Sequence, residues 1–434
     1  CPTMGPRYHV TTLGCPTNAV DSHTDVAALD ADGLVVADDA AEADLVVVNT
    51  CAFVEAARQE SIDTVLALAG ARKPGARLVV TGCMAERYGE ELAAALPEVD
   101  AVVGFGGQAD LGSVALRGRK PSGVRDLLDL PRAAPAAPWA YLKVAEGCDR
   151  ACAFCAIPSF RGPQRSRTPD AIEAEARALV AGGVAEIVLV AQDLAWFGRD
   201  AGEPGALAPL LGRLDRLRAD GLARVRLLYL YPSEVRDPLL AAMCELPVVT
   251  PYFDLSLQHA SAPLLRGMKR WGSGDRFAAL ITDIRARRPE AAFRSSFIVG
   301  FPGETEDDHA ELLGFLDAVR LDWAGFFAYS SEDGTAAAGM ADAVDPVLVG
   351  ERLRECSEVQ DPITAATRNA LIGETVEVLV DRVGPDGAVG RTHREAPEID
   401  GVVRIAGVDP RPGARFPVRI VGAEGPDLDA EVFA

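Results

Sequence analysis

Four short apolar runs, "YHVTTLGC", "DLVVVNTC", "RLVVTGC" and "AVVGF", alternate with helical stretches such as "SIDTVLALAGARK" between Tyr8 and Val103. That rhythm leaves few folds open, because strands separated by helix-length segments pair in parallel and a parallel sheet must be covered by helices. A longer series follows, with strand-like runs at "WAYLKVAEG", "EIVLVAQD", "RVRLLYLYP", "PYFDLSLQH", "AFRSSFIVGFP" and "WAGFFAYS". Six βα units in succession predict a barrel or part of one, with its chemistry at the C-terminal ends of the strands. Within this series Thr168 reads as an N-cap, Pro169 as the first helical residue and Gly182-Gly183 as the stop. From Glu374 onward "TVEVLVDRV", "VVRIAGV" and "RFPVRIVGA", spaced by Gly and Pro, predict a small antiparallel β-barrel. The expected class is α/β: a parallel α/β sheet domain at 1–118, a linker at 119–138, a partial (β/α)6 barrel with a trailing helix at 139–372, and the β-barrel at 373–434. Pro362 is expected to interrupt and kink the trailing helix.

No apolar run approaches the roughly 18 residues of a membrane span. The start, "CPTMGPRYHV", shows neither an export nor a transit pattern, so a cytoplasmic address without membrane partners is expected and Cys1 is given no role. A net charge of -21, from 43 basic and 64 acidic residues, disfavours nonspecific attraction to phosphate backbones and suits a basic partner. Nine cysteines in such a chain point to metal or redox chemistry rather than to a disulfide framework.

The cysteines fall into two sets. Cys148, Cys152 and Cys155 have the spacing CxxxCxxC directly after a predicted strand, with no fourth cysteine nearby. A structural zinc site fills four protein positions, so three thiolates on one short loop suit an iron-sulfur cube whose fourth iron is open to a small molecule. A zinc loop or plain burial is the alternative. Cys15, Cys51 and Cys83 each close a strand-like run, at intervals of 36 and 32 residues. Equivalent strand ends in a parallel sheet lie at one edge, so these three converge, unless they are only small residues packed there. Cys244 and Cys356 sit alone in helical segments and read as packing.

"GCDRACAFC" resembles the signature of the radical S-adenosylmethionine superfamily, and Cys15, Cys51 and Cys83 in this order resemble the amino-terminal domain of the methylthiotransferases. The resemblance spans essentially the whole chain, and the carboxyl-terminal barrel is similar to a TRAM domain. It implies two 4Fe-4S clusters, one on Cys148, Cys152 and Cys155 binding S-adenosylmethionine and one on Cys15, Cys51 and Cys83 taking part in sulfur delivery. Phe154 resembles the aromatic beside the adenine, with core packing as the alternative. Gln192, Asp193 and Gln258 end predicted strands and so face the mouth where S-adenosylmethionine would lie, or else serve as ordinary caps. "FIVGFPGETEDD" resembles a motif on the same side, although its turn glycines justify it structurally as well.

The strings "LGCPTNAVDS", "NTCAFVEAARQES", "AIPSFRG", "DLSLQHAS" and "REAPEIDG" resemble the branch that modifies an aspartate of small-subunit ribosomal protein number twelve. The other well-known branch modifies a tRNA adenosine. Residues 373–434 carry 7 Arg, no Lys and 12 Asp or Glu, a net of -5, which suits a basic ribosomal protein and argues against direct nucleic-acid binding. The implied reaction adds a methylthio group to the aspartate β-carbon, whose hydrogen is beyond acid-base catalysis and calls for a radical. A tRNA methylthiotransferase and a non-enzymatic cluster carrier are the alternatives, and the sequence identifies neither the electron donor nor the sulfur donor. Leu194, Ala195 and Trp196 stand where smaller polar residues are common in the family, and His23 where an acid is usual; His23 reads as structural or solvated rather than as a ligand.

Overall fold

The structure, a computed structural model, describes residues 5–113, 128 and 130–433. Cys1, the predicted domain end at 118 and linker residues 119–127 and 129 lie outside the described residues; residues 130–138 hold no helix or strand. The chain forms two compact units. The first comprises the described residues up to 134 with 145–150 and 155–165, and the second comprises 135–144, 151–154 and 166 onward.

In the first unit β1 (Arg7–Thr12), β2 (Val35–Val36), β3 (Leu45–Thr50), β4 (Arg77–Gly82) and β5 (Ala101–Val102) form a parallel sheet in the order β2-β1-β3-β4-β5. The sequence rhythm misses β2, an exposed two-residue edge too short to register. All six residues of β3 are buried, as its near-continuous apolar run requires of a central parallel strand. Alternate residues feed opposite faces: Val46, Val48, Leu78 and Val80 pack with α2 (Glu55–Ala71) and α3 (Cys83–Ala95), while Leu45, Val47 and Val79 pack with Leu29 of α1 (Pro16–Ala31). Strand order reverses between β1 and β3, and such a switch point opens a crevice at the carboxyl ends of the strands. A short helix, α4 (Ile157–Arg161), also belongs to this unit.

The second unit contains all six expected strands: β6 (Trp139–Lys143), β7 (Glu186–Val190), β8 (Arg224–Leu227), β9 (Tyr252–Gln258), β10 (Ala292–Val299) and β11 (Trp323–Ala328). They pair in parallel as β8-β7-β6 and β9-β10-β11, and bridges Val225–Val249 and Leu230–Leu255 join the two sheets into a partial barrel. Helix α5 (Pro169–Ala181) starts as its sequence dictates, with the Thr168 hydroxyl accepting from the Ala171 N–H at 3.2 Å, and it stops at Gly182. The expected interruption at Pro362 is corrected: α6 (Pro346–Asn369) continues through it. Proline forfeits one helical hydrogen bond, but buried Cys356, Gln360, Ile363 and Arg368 hold both sides of it in place.

The C-terminal module closes into a barrel of β12 (Thr375–Gly384), β13 (Gly387–Arg391), β14 (Val403–Ala406), β15 (Arg415–Glu424) and β16 (Asp427–Glu431), in the order β12-β13-β14-β16-β15. Four pairings are antiparallel and β14 with β16 is parallel. Sequence patterning misses β13 and β16, which are short and poor in β-branched residues. Val378, Val380, Val403, Ile405, Val418, Ile420 and Leu428 fill the interior.

"REAPEIDG" does not hang free on this module but crosses the N-terminal ends of the parallel strands. Arg394 pairs with Asp322 at 2.9 Å and its carbonyl accepts from Trp323 Nε1 at 2.7 Å. Glu395 pairs with Arg368, the Pro397 carbonyl accepts from the Tyr141 hydroxyl, and Asp400 accepts from the Tyr252 hydroxyl at 2.6 Å. Beneath them the Glu186 carboxylate, 0% exposed, meets Arg226 at 2.7 Å and Arg391 of the C-terminal module at 2.9 Å. Glu395 and Asp400 thus spend their charge inside the protein, which removes them from the acidic surface inferred for the module. Among the described residues no helix is long and apolar enough to cross a membrane.

Burial alone would raise the Glu186 pKa, but Arg391, Arg226 and Arg224 outweigh it and hold it at about 2. Replacing it with Gln leaves the buried Arg226 guanidinium without its carboxylate, while Arg391 keeps Asp381 at 2.7 Å, and should cost about 3 to 5 kcal/mol in denaturant unfolding. Because the folded value lies below the ordinary 4.5, this contribution is complete above that pH and fades as pH falls toward about 2. The stability difference between wild type and Glu186→Gln should therefore shrink across that window.

Candidate functional site: two sulfur triads

Cys15 follows β1 and caps α1, Cys51 follows β3, and Cys83 follows β4 as the first residue of α3. All three lie at the carboxyl edge of one sheet, around the switch point, as the sequence spacing requires. Cys15 is exposed, whereas Cys51 and Cys83 are 5% and 6% exposed. Burial, reinforced by the neighbouring Cys15 and Cys83, pushes the Cys51 thiol up to about 12. Burial also pushes Cys83 up to about 11, with Arg161 opposing and Cys15 adding to the rise. The mutual influence of the three sulfurs places them in one electrostatic neighbourhood. At neutral pH both buried thiols keep their protons, which any metal bound there would have to displace.

One side chain ties the three loops together. Asn18 Nδ2 donates to the Leu13 carbonyl at 2.9 Å and the Thr50 carbonyl at 3.0 Å, and Asn18 Oδ1 accepts from the Cys83 thiol at 3.4 Å. Asn49 Nδ2 answers by donating to the Asn18 carbonyl and the Ser22 hydroxyl, both at 2.9 Å. Ser61 of α2 braces Cys51, accepting from its N–H at 3.1 Å while donating to the Ala57 carbonyl at 2.8 Å. Two glycines make room: Gly14, at φ +93°, would bring a Cβ within 3.0 Å of Cys51 Sγ, and Gly82, at φ +87°, would bring one within 2.1 Å of Asn49 Oδ1. The polar residues of "LGCPTNAVDS" and "NTCAFVEAARQES" therefore build the walls of the sulfur site.

The CxxxCxxC loop contributes to both units. In the first, the Cys148 N–H donates to the Gly162 carbonyl at 3.1 Å and the Arg150 N–H donates to Cys148 Sγ at 3.4 Å. Cys155 precedes α4 in the same unit. In the second, residues 151–154 are clipped through Ala153, whose N–H donates to the Met268 carbonyl at 2.9 Å and whose carbonyl accepts from Ala337 at 2.8 Å. Arg270 lies 3.9 Å over the Tyr231 ring, and its Nη1 donates to Cys152 Sγ at 3.4 Å. Phe154 is half-buried beside this clip. Gln192 and Asp193 follow β7 and Gln258 ends β9, so all three occupy the carboxyl edge of the barrel strands. Gln258 at φ +72° and Tyr229 at φ +62° are non-glycine residues in the left-handed region, a backbone strain that concentrates at functional sites.

Other expectations resolve into packing. Leu194 and Ala195 are buried in a short turn and Trp196 carries Arg199 at 4.0 Å, so the apolar departures there serve the core. In "FIVGFPGETEDD" the Gly300 N–H donates to Glu304, and Thr305 with Asp308 forms a reciprocal cap, so the turn satisfies itself. His23 is half-buried on α1, with its carbonyl accepting from Ala133. Cys244 and Cys356 are 7% and 0% exposed, and the eight described cysteines form no disulfide. Among the described residues no three His, Cys, Asp or Glu side chains are gathered to hold a single metal ion. A cube of irons and sulfides spaces its cysteines more widely than one ion does, and sets of three soft thiolates fit it. Sequence reasoning missed Asn18, Ser61, Arg161 and Arg270 as site residues; the first three lie inside the strings quoted above, whereas Arg270 carried no signal.

Replacing Asn18 with Ala removes the brace common to the three loops. If both cysteine sets take up iron, the affinity of the Cys15, Cys51 and Cys83 set should weaken about 10- to 100-fold while that of the other set is retained, as metal analysis during chelator titration would show.

Residues 7–104 match the family described as Uncharacterized protein family UPF0004, residues 142–316 the radical SAM superfamily, and residues 372–433 a TRAM domain. The ribosomal protein uS12 methylthiotransferase RimO of Salinispora tropica is 44% identical, covering 99% of this chain and 96% of its own. That of Streptomyces coelicolor is 42% identical, covering 97% and 95%. Among solved structures, the radical S-adenosylmethionine methyltransferase TsrM of Kitasatospora setae is similar in fold, with TM-score 0.55 and 16% identity over 77% of each chain. Identity above 40% along nearly the whole length, across all three matched regions, leads to one conclusion: the chain belongs to the RimO family of ribosomal protein uS12 methylthiotransferases, within the radical SAM superfamily.

Proposed function

We propose that this enzyme adds a methylthio group to the β-carbon of an aspartate in ribosomal protein uS12, with Cys148, Cys152 and Cys155 as ligands of one 4Fe-4S cluster and Cys15, Cys51 and Cys83 as ligands of a second. The observation that carries the reading is the presence, in a chain of this family, of two sulfur triads at the carboxyl edges of parallel strands. When bound, the clusters and S-adenosylmethionine supply the electron, the radical, the methyl group and the sulfur that no side chain provides.

The chain's own part is positioning. Arg270 and the Ala153 clip hold Cys152 and Phe154 in place. Phe154, Gln192, Asp193 and Gln258 are the proposed contacts to S-adenosylmethionine, supported by their place at the clip and the strand ends. The corresponding division is a methylthiotransferase domain at 1–118, a linker at 119–138, a radical SAM barrel with trailing helix at 139–372 and a TRAM-like barrel at 373–434. The matched regions at 7–104, 142–316 and 372–433 support it. A basic ribosomal protein suits the net charge of -21, and a cytoplasmic address follows from that substrate.

Anaerobic reconstitution should give about eight irons per chain, falling to about four when Cys148, Cys152 and Cys155 are replaced by Ala. With reductant and S-adenosylmethionine, mass spectrometry should find the methylthio group on uS12 and none on tRNA; the reverse result would overturn the substrate assignment. Cys152→Ala should abolish S-adenosylmethionine cleavage, whereas Cys51→Ala should keep part of the cleavage and lose methylthiolation. Equal loss of both activities in both variants would remove the division of labour.

A further inference from the structure

Arg161 lies six residues after Cys155, at the end of α4, yet its guanidinium is committed to the other sulfur set. It is 5% exposed. Nη1 donates to Glu146 Oε1 at 2.8 Å, and Nη2 lies 3.0 Å from each of Asn18 Oδ1, Asp21 Oδ2 and Cys83 Sγ. Its Cζ lies 4.7 Å from the Phe105 ring centroid. Every one of these partners belongs to the first unit, as do Cys148 and Cys155.

Neutralising one buried guanidinium takes one carboxylate, and two are supplied. Nη2 carries two protons and faces three acceptors, one of them a sulfur whose own proton goes to Asn18. Once Cys83 ligates iron, that thiol proton is gone and the sulfur becomes an acceptor only. A permanently charged, planar donor fixed at hydrogen-bond distance is then the group that can answer it. Hydrogen bonds to cluster sulfurs raise reduction potential, and outer residues that orient ligands matter nearly as much as the ligands themselves.

We propose that Arg161 is a positioning residue shared by the two cysteine sets: it anchors the segment bearing Cys148 and Cys155 to the wall formed by Asn18, Asp21 and Cys83, and it donates a hydrogen bond to the Cys83 sulfur of the cluster held there. The proposal rests on the reading of Cys15, Cys51 and Cys83 as cluster ligands. A guanidinium contacting the Cys15, Cys51 and Cys83 set from a helix that directly follows Cys155 fixes the spacing of Cys155 from that set through a short length of chain. Neither charge alone nor length alone reproduces it, because a lysine ammonium cannot span four acceptors in one plane.

The test uses the full chain with Arg161→Gln and Arg161→Lys, each also made with Cys148, Cys152 and Cys155 replaced by Ala so that the other cluster is observed alone. Redox titration followed by electron paramagnetic resonance should find its potential lowered in Arg161→Gln, with Arg161→Lys between it and wild type. In the otherwise intact enzyme the ratio of S-adenosylmethionine cleaved to uS12 methylthiolated should rise about tenfold or more in Arg161→Gln. Wild-type potential and ratio in both variants at full iron content would overturn the proposal. Should Arg161→Gln fail to fold, Arg161→Lys decides: a lowered potential supports the role and an unchanged one rejects it. Replacing Cys15, Cys51 and Cys83 by Ala separates the two failures. If iron content does not fall there, the ligand reading is wrong; if it falls while the Arg161 variants behave as wild type, only the role of Arg161 is lost.

Discussion

The second unit is organised around the Glu186 carboxylate, buried between Arg226 of the parallel barrel and Arg391 of the C-terminal module. A carboxylate with no access to water is tolerable only while its cationic partners stay in place, and here one of them comes from a different part of the chain. Withdrawing the module would take Arg391 from Glu186 and leave that buried carboxylate to Arg226. The same surface carries the Arg394–Asp322 and Arg368–Glu395 pairs, so six short strands that do not close into a full barrel receive a fixed floor. Reserving the N-terminal face of the strands for stability leaves the carboxyl ends for chemistry, as in barrels generally.

In the first unit the governing constraint is desolvation of sulfur. Cys51 and Cys83 are buried deeply enough to remain thiols, so any metal they ligate would have to displace their protons. Around them the backbone is arranged by amide side chains rather than by apolar packing: Asn18 donates to the Leu13 and Thr50 carbonyls and accepts from Cys83, and Asn49 donates to the Asn18 carbonyl. Such a lattice is directional, and the glycines at 14 and 82 let it close at a spacing no side chain would permit. Arg161 joins this lattice from a helix that follows Cys155, bringing a full positive charge within hydrogen-bond reach of the Cys83 sulfur.

Much of this was legible because it is written in periodicity and spacing. The six barrel strands, the cap at Thr168 and the two cysteine sets all depend on near neighbours in the chain or on a repeated unit length. The misses share a cause. β2, β13 and β16 are too short for their pattern to rise above chance. The helix through Pro362 survives because tertiary packing outweighs one lost hydrogen bond. "REAPEIDG" read as a mark of substrate class, and its acids as part of a surface, because nothing local reveals that Glu395 and Asp400 meet Arg368 and Tyr252 in the interior.

The sequence by itself determined the two sulfur sets, the parallel architecture that carries them and the family chemistry they imply, since each follows from residue type and interval along one strand-helix unit. Only the tertiary structure decided which charges are buried, which arginine serves which sulfur and how the C-terminal module is fastened. Arg270 on Cys152, Arg161 on Cys83 and Arg391 on Glu186 join residues 118, 78 and 205 positions apart. Contacts over such distances arise from how the elements pack in three dimensions, and a guanidinium long enough to reach several partners takes its role from whichever acceptors the fold brings within hydrogen-bond range.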